Sequence, residues 1–165
     1  MLFSYKNIRG NTMSAHRPAP ALSALVAAGL LLAPAAAAEA ATSPLQLGRF
    51  QADAGGTKVK DTKANVNGEW IQVRNTSAKA LGVAGYVLRD AYGHRYVFPR
   101  GAVIPARGVV TVYSGRGTNG KGRFYWNQGW HVWNNTGETA TLLSPKSVRL
   151  DVCTYKKNAA GYVNC

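Results

Sequence analysis

The sequence predicts an all-β fold of the sandwich or barrel class, on three observations. Short segments with an apolar period of two recur along the chain; Gly, Pro and Asn punctuate them at regular intervals; and no window after the first 40 residues spaces its apolar residues for three helical turns. At 165 residues with 46% hydrophobic content, the chain has material for one cored domain and is not wholly disordered.

The first candidate element is the Leu-containing segment Leu45 to Phe50, followed by Gly55-Gly56 and a loop carrying Lys58, Lys60 and Lys63. In Glu69 to Arg74, Ile71 and Val73 share one face and Gln72 and Arg74 the other, a half-buried strand. Asn75-Thr76-Ser77 supplies turn chemistry. Tyr86 to Asp90 and His94 to Phe98 flank Ala91-Tyr92-Gly93 in the outline of a hairpin. Pro99 to Gly101 and Pro105 to Gly108 bracket Ala102-Val103-Ile104, and Val109 to Tyr113 is β-branched. Thr139 to Leu143 and Arg149 to Tyr155 are further strands, separated by Ser144-Pro145-Lys146. In the last of these, alternation sets Leu150 and Val152 on one face and Asp151 and Cys153 on the other, so that Cys153 is expected at the periphery and not between two sheets.

Residues 1–40 read as a secretory signal peptide: a basic start (Lys6, Arg9, Arg17), an uncharged Ala/Leu/Val run from Pro18 to Ala38, and small-x-small patterns at Ala36 to Ala40. A membrane anchor is the competing reading, since about 20 apolar residues span a bilayer, but Pro34 and the Ala-rich second half argue against it. The membrane is therefore met only during export, and the protein is expected outside the cell. Residues 41–155 are the expected β domain, with its core starting near residue 45, and 156–165 a C-terminal tail. An exported chain with two cysteines is expected to join Cys153 to Cys165 and so staple that tail.

Charge limits function further. The chain has 20 Lys+Arg against 7 Asp+Glu, a formal +13; cleavage would remove Lys6, Arg9, Arg17 and Glu39 and leave about +11. So few carboxylates leave little for a hard-metal cage or a clustered acid/base site, and two Cys with scattered His make no zinc site. Gly115 to Gly120 satisfies G-x-G-x-x-G, and Gly115 to Lys121 the front of a phosphate-binding loop. Yet a helix should follow and Ser or Thr should stand at position 122, where the chain has Gly122 and then Arg123-Phe124-Tyr125. No nucleotide and no cofactor are expected. With only His94 and His131 after the leader and no nucleophile or zinc motif, no catalytic residue is assigned. Asp90 and His94 are accounted for by a hairpin turn, and nothing in the sequence sets Glu69 and Glu138 across a cleft.

The basic excess points instead to an anionic partner, nucleic acid or an anionic cell-wall polymer. Candidate contacts are Lys58, Lys60, Lys63, Arg116, Lys121 and Arg123, with Tyr125, Trp126 and Trp130 as candidate stacking platforms beside them. Large aromatics more often pack in cores, and Trp133 is the one most expected to be buried.

Four blocks resemble one family. Asn67-Gly68-Glu69-Trp70-Ile71-Gln72-Val73-Arg74-Asn75-Thr76 is similar to the N-x-E-[WY]-[VI]-x-[VIL]-x-N opening of lamin-tail domains, and Ala84 to Asp90 to their G-[WY]-x-L-x-D strand. Val132 to Leu142 resembles the W-N-N-x-G-D-x-A-x-L hallmark, with Glu138 where Asp is commoner, and Asp151-Val152-Cys153 the terminal D-x-C. The blocks run from about Leu45 to Tyr155 in the family's order; the tail to Cys165 matches no family feature. The small exported bacterial members are the most similar in layout. The resemblance implies an immunoglobulin-like β-sandwich and a non-enzymatic module that binds proteins or, in places, DNA. It implies structural roles for the hallmark residues Trp133, Asn134, Asn135 and Gly137. The expected function is a secreted binding module for an extracellular polyanion or the cell envelope. The alternative is a structural or protein-binding domain without polyanion preference, with an envelope or extracellular protein as partner; a hydrolase comes third.

Overall fold

The computed structural model describes residues 42–165; the leader read over residues 1–40 lies outside the described residues. Eleven strands are present: β1 Leu45–Gln51, β2 Trp70–Asn75, β3 Leu81–Gly82, β4 Val87–Arg89, β5 Arg95–Val97, β6 Val103–Ile104, β7 Val109–Tyr113, β8 Arg123–Tyr125, β9 Gly137–Leu143, β10 Arg149–Lys156 and β11 Tyr162–Asn164. They form a five-stranded sheet in the order β11-β1-β2-β7-β8, a four-stranded sheet in the order β10-β9-β4-β5, and a small β3–β6 pair. Among the described residues, β7 and β8 alone pair in parallel. The alternation predicts an all-β sandwich or barrel and the resemblance an immunoglobulin-like sandwich; the structure is that sandwich, and among the described residues no helix is long and apolar enough to cross a membrane.

Period-two alternation decides the faces. Ile71 and Val73 of β2, Val110 and Val112 of β7 and Phe124 of β8 point inward, and meet Leu88, Ala140, Leu142 and Tyr155 from the opposite sheet in one core. An aromatic chain runs through it, Tyr155 to Phe50 to Trp133 to Trp126 to Tyr96 to Phe98 to Phe124, edge-to-face except at the tilted Trp126–Tyr96 contact, with neighbouring centroids 4.7 to 6.4 Å apart. Each such pair adds about 0.5–1.5 kcal/mol beyond the burial itself.

The hairpin forms with its turn at Asp90–His94. Asp90 Oδ1 accepts the amides of Tyr92 (3.0 Å) and His94 (2.7 Å), and Oδ2 lies 2.5 Å from His94 Nδ1. The Asp90/His94 pair is thus occupied in closing a turn.

Strands β3, β8 and β11 are absent from the sequence expectation, being two or three residues long with no room for alternation to register. Strand β11 changes the account of the tail. Residues 162–164 pair antiparallel with Arg49–Gln51 and extend the five-stranded sheet, and the Cys153–Cys165 disulfide closes just beyond them. Cys153 is on an edge strand of the other sheet, so the bond joins the two sheets at one margin. The peripheral position expected for Cys153 is corrected in one respect. The face that Asp151 and Cys153 share is the inner one: Cys153 and Tyr155 are buried while Val152 is exposed.

Candidate polyanion interface

The partition of charge is the dominant surface feature. All 17 Lys and Arg among the described residues are exposed, whereas none of the six Asp and Glu is: Asp53, Glu69, Asp90 and Glu138 are buried, and Asp61 and Asp151 half-buried. Four of the carboxylates, Glu69, Asp90, Glu138 and Asp151, accept backbone amides, and Asp61 accepts from the Asn135 side chain. Glu69 Oε2 accepts the amides of Val132 (2.8 Å) and Trp133 (3.4 Å). Glu138 accepts those of Ala91 (3.0 Å), Asn134 (3.2 Å) and Thr139 (2.7 Å), and Asp151 accepts that of Leu47 (2.7 Å). Among the described residues no Lys or Arg is paired with Asp or Glu; the ion pairs all involve His.

The expected cations are brought together only in part. Lys63, from the loop before β2, and Arg116, from the glycine-rich loop after β7, line one cleft of about 540 Å³ with Asn67 and Gln128, and Asn67 Nδ2 donates to the Arg116 carbonyl (2.9 Å). Lys58, Lys60 and Lys121 are exposed but do not line that cleft. Arg123 faces outward from β8, opposite Thr111.

The aromatics divide as well. Trp130 is 49% exposed, edge-on to His131 (5.4 Å), in a depression shared with His94 and Gln128. Tyr125 lies on the outer face of the five-stranded sheet, half-buried and stacked on Tyr113 at 5.3 Å. Trp126 is a correction: it is buried between Trp133 and Tyr96, so it packs the core and offers no free face for stacking. Alternation from Tyr125 explains this, since the next residue must turn inward.

The glycine-rich loop is a strand connection. It links β7 to β8, and β8, not a helix, follows Lys121. An added Cβ at Gly117 would overlap the Tyr125 ring, and one at Gly115 would overlap the Asn67 side chain, so these glycines permit close packing.

The hallmark residues have structural partners. Trp133 is buried 4.7 Å from Phe50. Asn134 Oδ1 accepts the Thr136 amide (2.9 Å) and Asn135 Nδ2 donates to Asp61 (3.1 Å). Gly137 begins β9. Glu69 accepts the amides of Val132 and Trp133 and Glu138 that of Asn134, so the two carboxylates together hold the start of this segment.

Sequence reasoning missed a second cationic face. The outer side of the five-stranded sheet carries Trp70, Gln72 and Arg74 of β2 beside Arg49 of β1, and a groove of about 530 Å³ runs between them. A bulge between Leu47 and Phe50 sets both Gly48 and Arg49 opposite Gln72, and the absent side chain at Gly48 opens the groove floor. The signal was present in the sequence, because the alternation that turns Ile71 and Val73 inward turns Trp70 and Arg74 outward.

The sequence model of the Lamin Tail Domain family matches residues 38–157. No curated protein matches the chain.

Proposed function

The chain belongs to the lamin tail domain family, and from that premise we propose that it is an exported, non-catalytic binding module that holds an extracellular anionic polymer through surface charge. The observation that carries this reading is the partition of charge: among the described residues every Lys and Arg is exposed and every Asp and Glu is buried or half-buried. Such a surface produces a field of one sign, which raises the local concentration of polyanions and speeds their encounter. The Lys63–Arg116 cleft is the point where two separate loops add their charges.

The test is a salt titration of purified protein against labelled duplex DNA and against polyglycerol phosphate. Binding held by released counterions falls linearly in log K against log salt, and replacing Lys63 and Arg116 by Ala reduces the slope by roughly one for each lost phosphate contact. Affinity that stays flat from low to high salt defeats the proposal and leaves a protein-binding or structural domain. Hydrolysis of either polymer, abolished in His94→Ala or His131→Ala, defeats its non-catalytic part.

A further inference from the structure

The outer face of the five-stranded sheet carries more than charge. Register places Tyr162, Gln51, Trp70, Tyr113 and Tyr125 in one row across strands β11, β1, β2, β7 and β8, all half-buried on the solvent side. Four of the five are aromatic, which is not what core packing requires of an outward face. A neighbouring row supplies cations: Arg49 stands opposite Asn164 and packs its guanidinium over the Tyr162 ring at 4.4 Å, and Arg123 stands opposite Thr111. Arg74 lies one pair further along and lines the groove with Trp70 and Arg49. Among the described residues lining that groove there is no Asp or Glu side chain.

We propose that this face is a binding surface for single-stranded nucleic acid, with Trp70, which lines the groove, as the base-stacking platform and Arg49, Arg74 and Arg123 as phosphate contacts. The inference rests on the polyanion reading for its charge and adds the demand for flat, unpaired bases. Charge complementarity selects a polyanion over a neutral saccharide. The aromatic row selects a polymer with exposed π faces over duplex DNA, whose bases are stacked on one another, and over polyglycerol phosphate, which has none.

Fluorescence anisotropy with three ligands of equal phosphate number decides it: oligothymidylate, the same backbone with abasic sites, and a duplex. The expected result is that oligothymidylate binds about tenfold more tightly than the abasic strand. Trp70→Ala should remove most of that advantage without weakening the abasic strand, and Trp70→Phe should restore it. The comparison of strands uses the unaltered protein, so it stands even where a variant folds poorly. Equal, salt-sensitive binding of all three strands overturns the stacking face and leaves the polyanion reading intact. Failure to bind any strand or polyglycerol phosphate overturns both, and Trp70-dependent binding of a neutral polysaccharide that displaces the oligonucleotide overturns the choice of nucleic acid.

Discussion

His131 Nδ1 lies 3.2 Å from Glu69 Oε1, with both side chains buried. The other ring nitrogen, Nε2, faces two acceptors, the Thr62 carbonyl at 3.2 Å and Asn65 Oδ1 at 3.1 Å. The Asn65 amide is oriented by its own partners, since Oδ1 accepts the Thr62 amide and Nδ2 donates to the Lys60 carbonyl. Nε2 must therefore carry a hydrogen. Nδ1 then faces Glu69 Oε1, and Asp61 Oδ1 at 3.6 Å, across a gap that one proton must fill, whether it is placed on the ring or on the carboxyl.

A pH dependence of stability follows from that proton. Burial pushes Glu69 up to about 7, against the lowering effect of the Val132 amide and of His131. The unfolded carboxyl gives up its proton near 4.5 and the folded one only near 7, so the bound proton stabilises the fold fully below about 4.5, and that contribution is lost as pH rises through about 7. Asp53, raised first by burial and then by Asp61, has the same sign. Urea unfolding should show stability falling by on the order of 2 kcal/mol between pH 5 and 8. Glu69→Gln, which keeps an acceptor for the Val132 amide, should flatten most of that slope; an unchanged slope would remove Glu69 as its source.

Reduction of the disulfide is the second expected change. Cys153 and Cys165 are 12 residues apart, a loop whose closure is worth about 3 kcal/mol on the chain-entropy model. The bond also holds β11, a three-residue edge strand, against β1. The double Cys→Ala variant should lose about 2–4 kcal/mol in chemical denaturation. Amide exchange at residues 162–164 should accelerate before exchange in β2 or β9 does; uniform acceleration would show that the bond does not act on β11 locally.

Asn75 should be among the most sensitive polar positions. It is fully buried at the end of β2, where Nδ2 donates to the carbonyls of Lys79 (2.7 Å), Ile104 (3.3 Å) and Pro105 (2.9 Å), and Oδ1 accepts the Ser77 amide (2.9 Å). Asn75→Ala leaves these buried groups unpaired, at a cost of about 3 kcal/mol or more. Asn75→Asp should be at least as harmful, because it aims a carboxylate at three carbonyl oxygens. Denaturation midpoints check both, and a tolerated Asp would show that this contact set is not what holds the turn.

The sandwich was legible because alternation is a local property: Ile71 and Val73 announce an inner face within six residues. Most strands of five residues or more were legible for that reason. Strands β8 and β11 were not, since Arg123–Tyr125 and Tyr162–Asn164 are too short for a period, and only their partners, β7 and β1, make them strands. The candidate surface was half legible. Lys63 and Arg116 are far apart in sequence and meet only through the fold, and the aromatic row exists only by register between strands. Trp126 was misjudged because a run of aromatics beside cations conceals that alternate members face opposite ways.

Gly117 offers a test of how the glycine-rich loop bears on that row. Its backbone lies against the Tyr125 ring so closely that an added Cβ would overlap three ring carbons, while the ring is stacked on Tyr113. Asn119 Oδ1 also accepts the Tyr125 amide at 2.9 Å, so loop and strand are tied at two points. Gly117→Ala must displace either the loop or the ring, and the ring is the freer of the two because it ends a side chain. The expected loss of stability is about 1–2 kcal/mol, the scale of an overpacked contact that can partly relax. The Tyr113 and Tyr125 ring proton shifts in NMR spectra should move as the stack opens, while Trp133 in the core stays unchanged. Unperturbed tyrosine shifts together with a destabilised loop would show that the backbone yields and the ring stays in place.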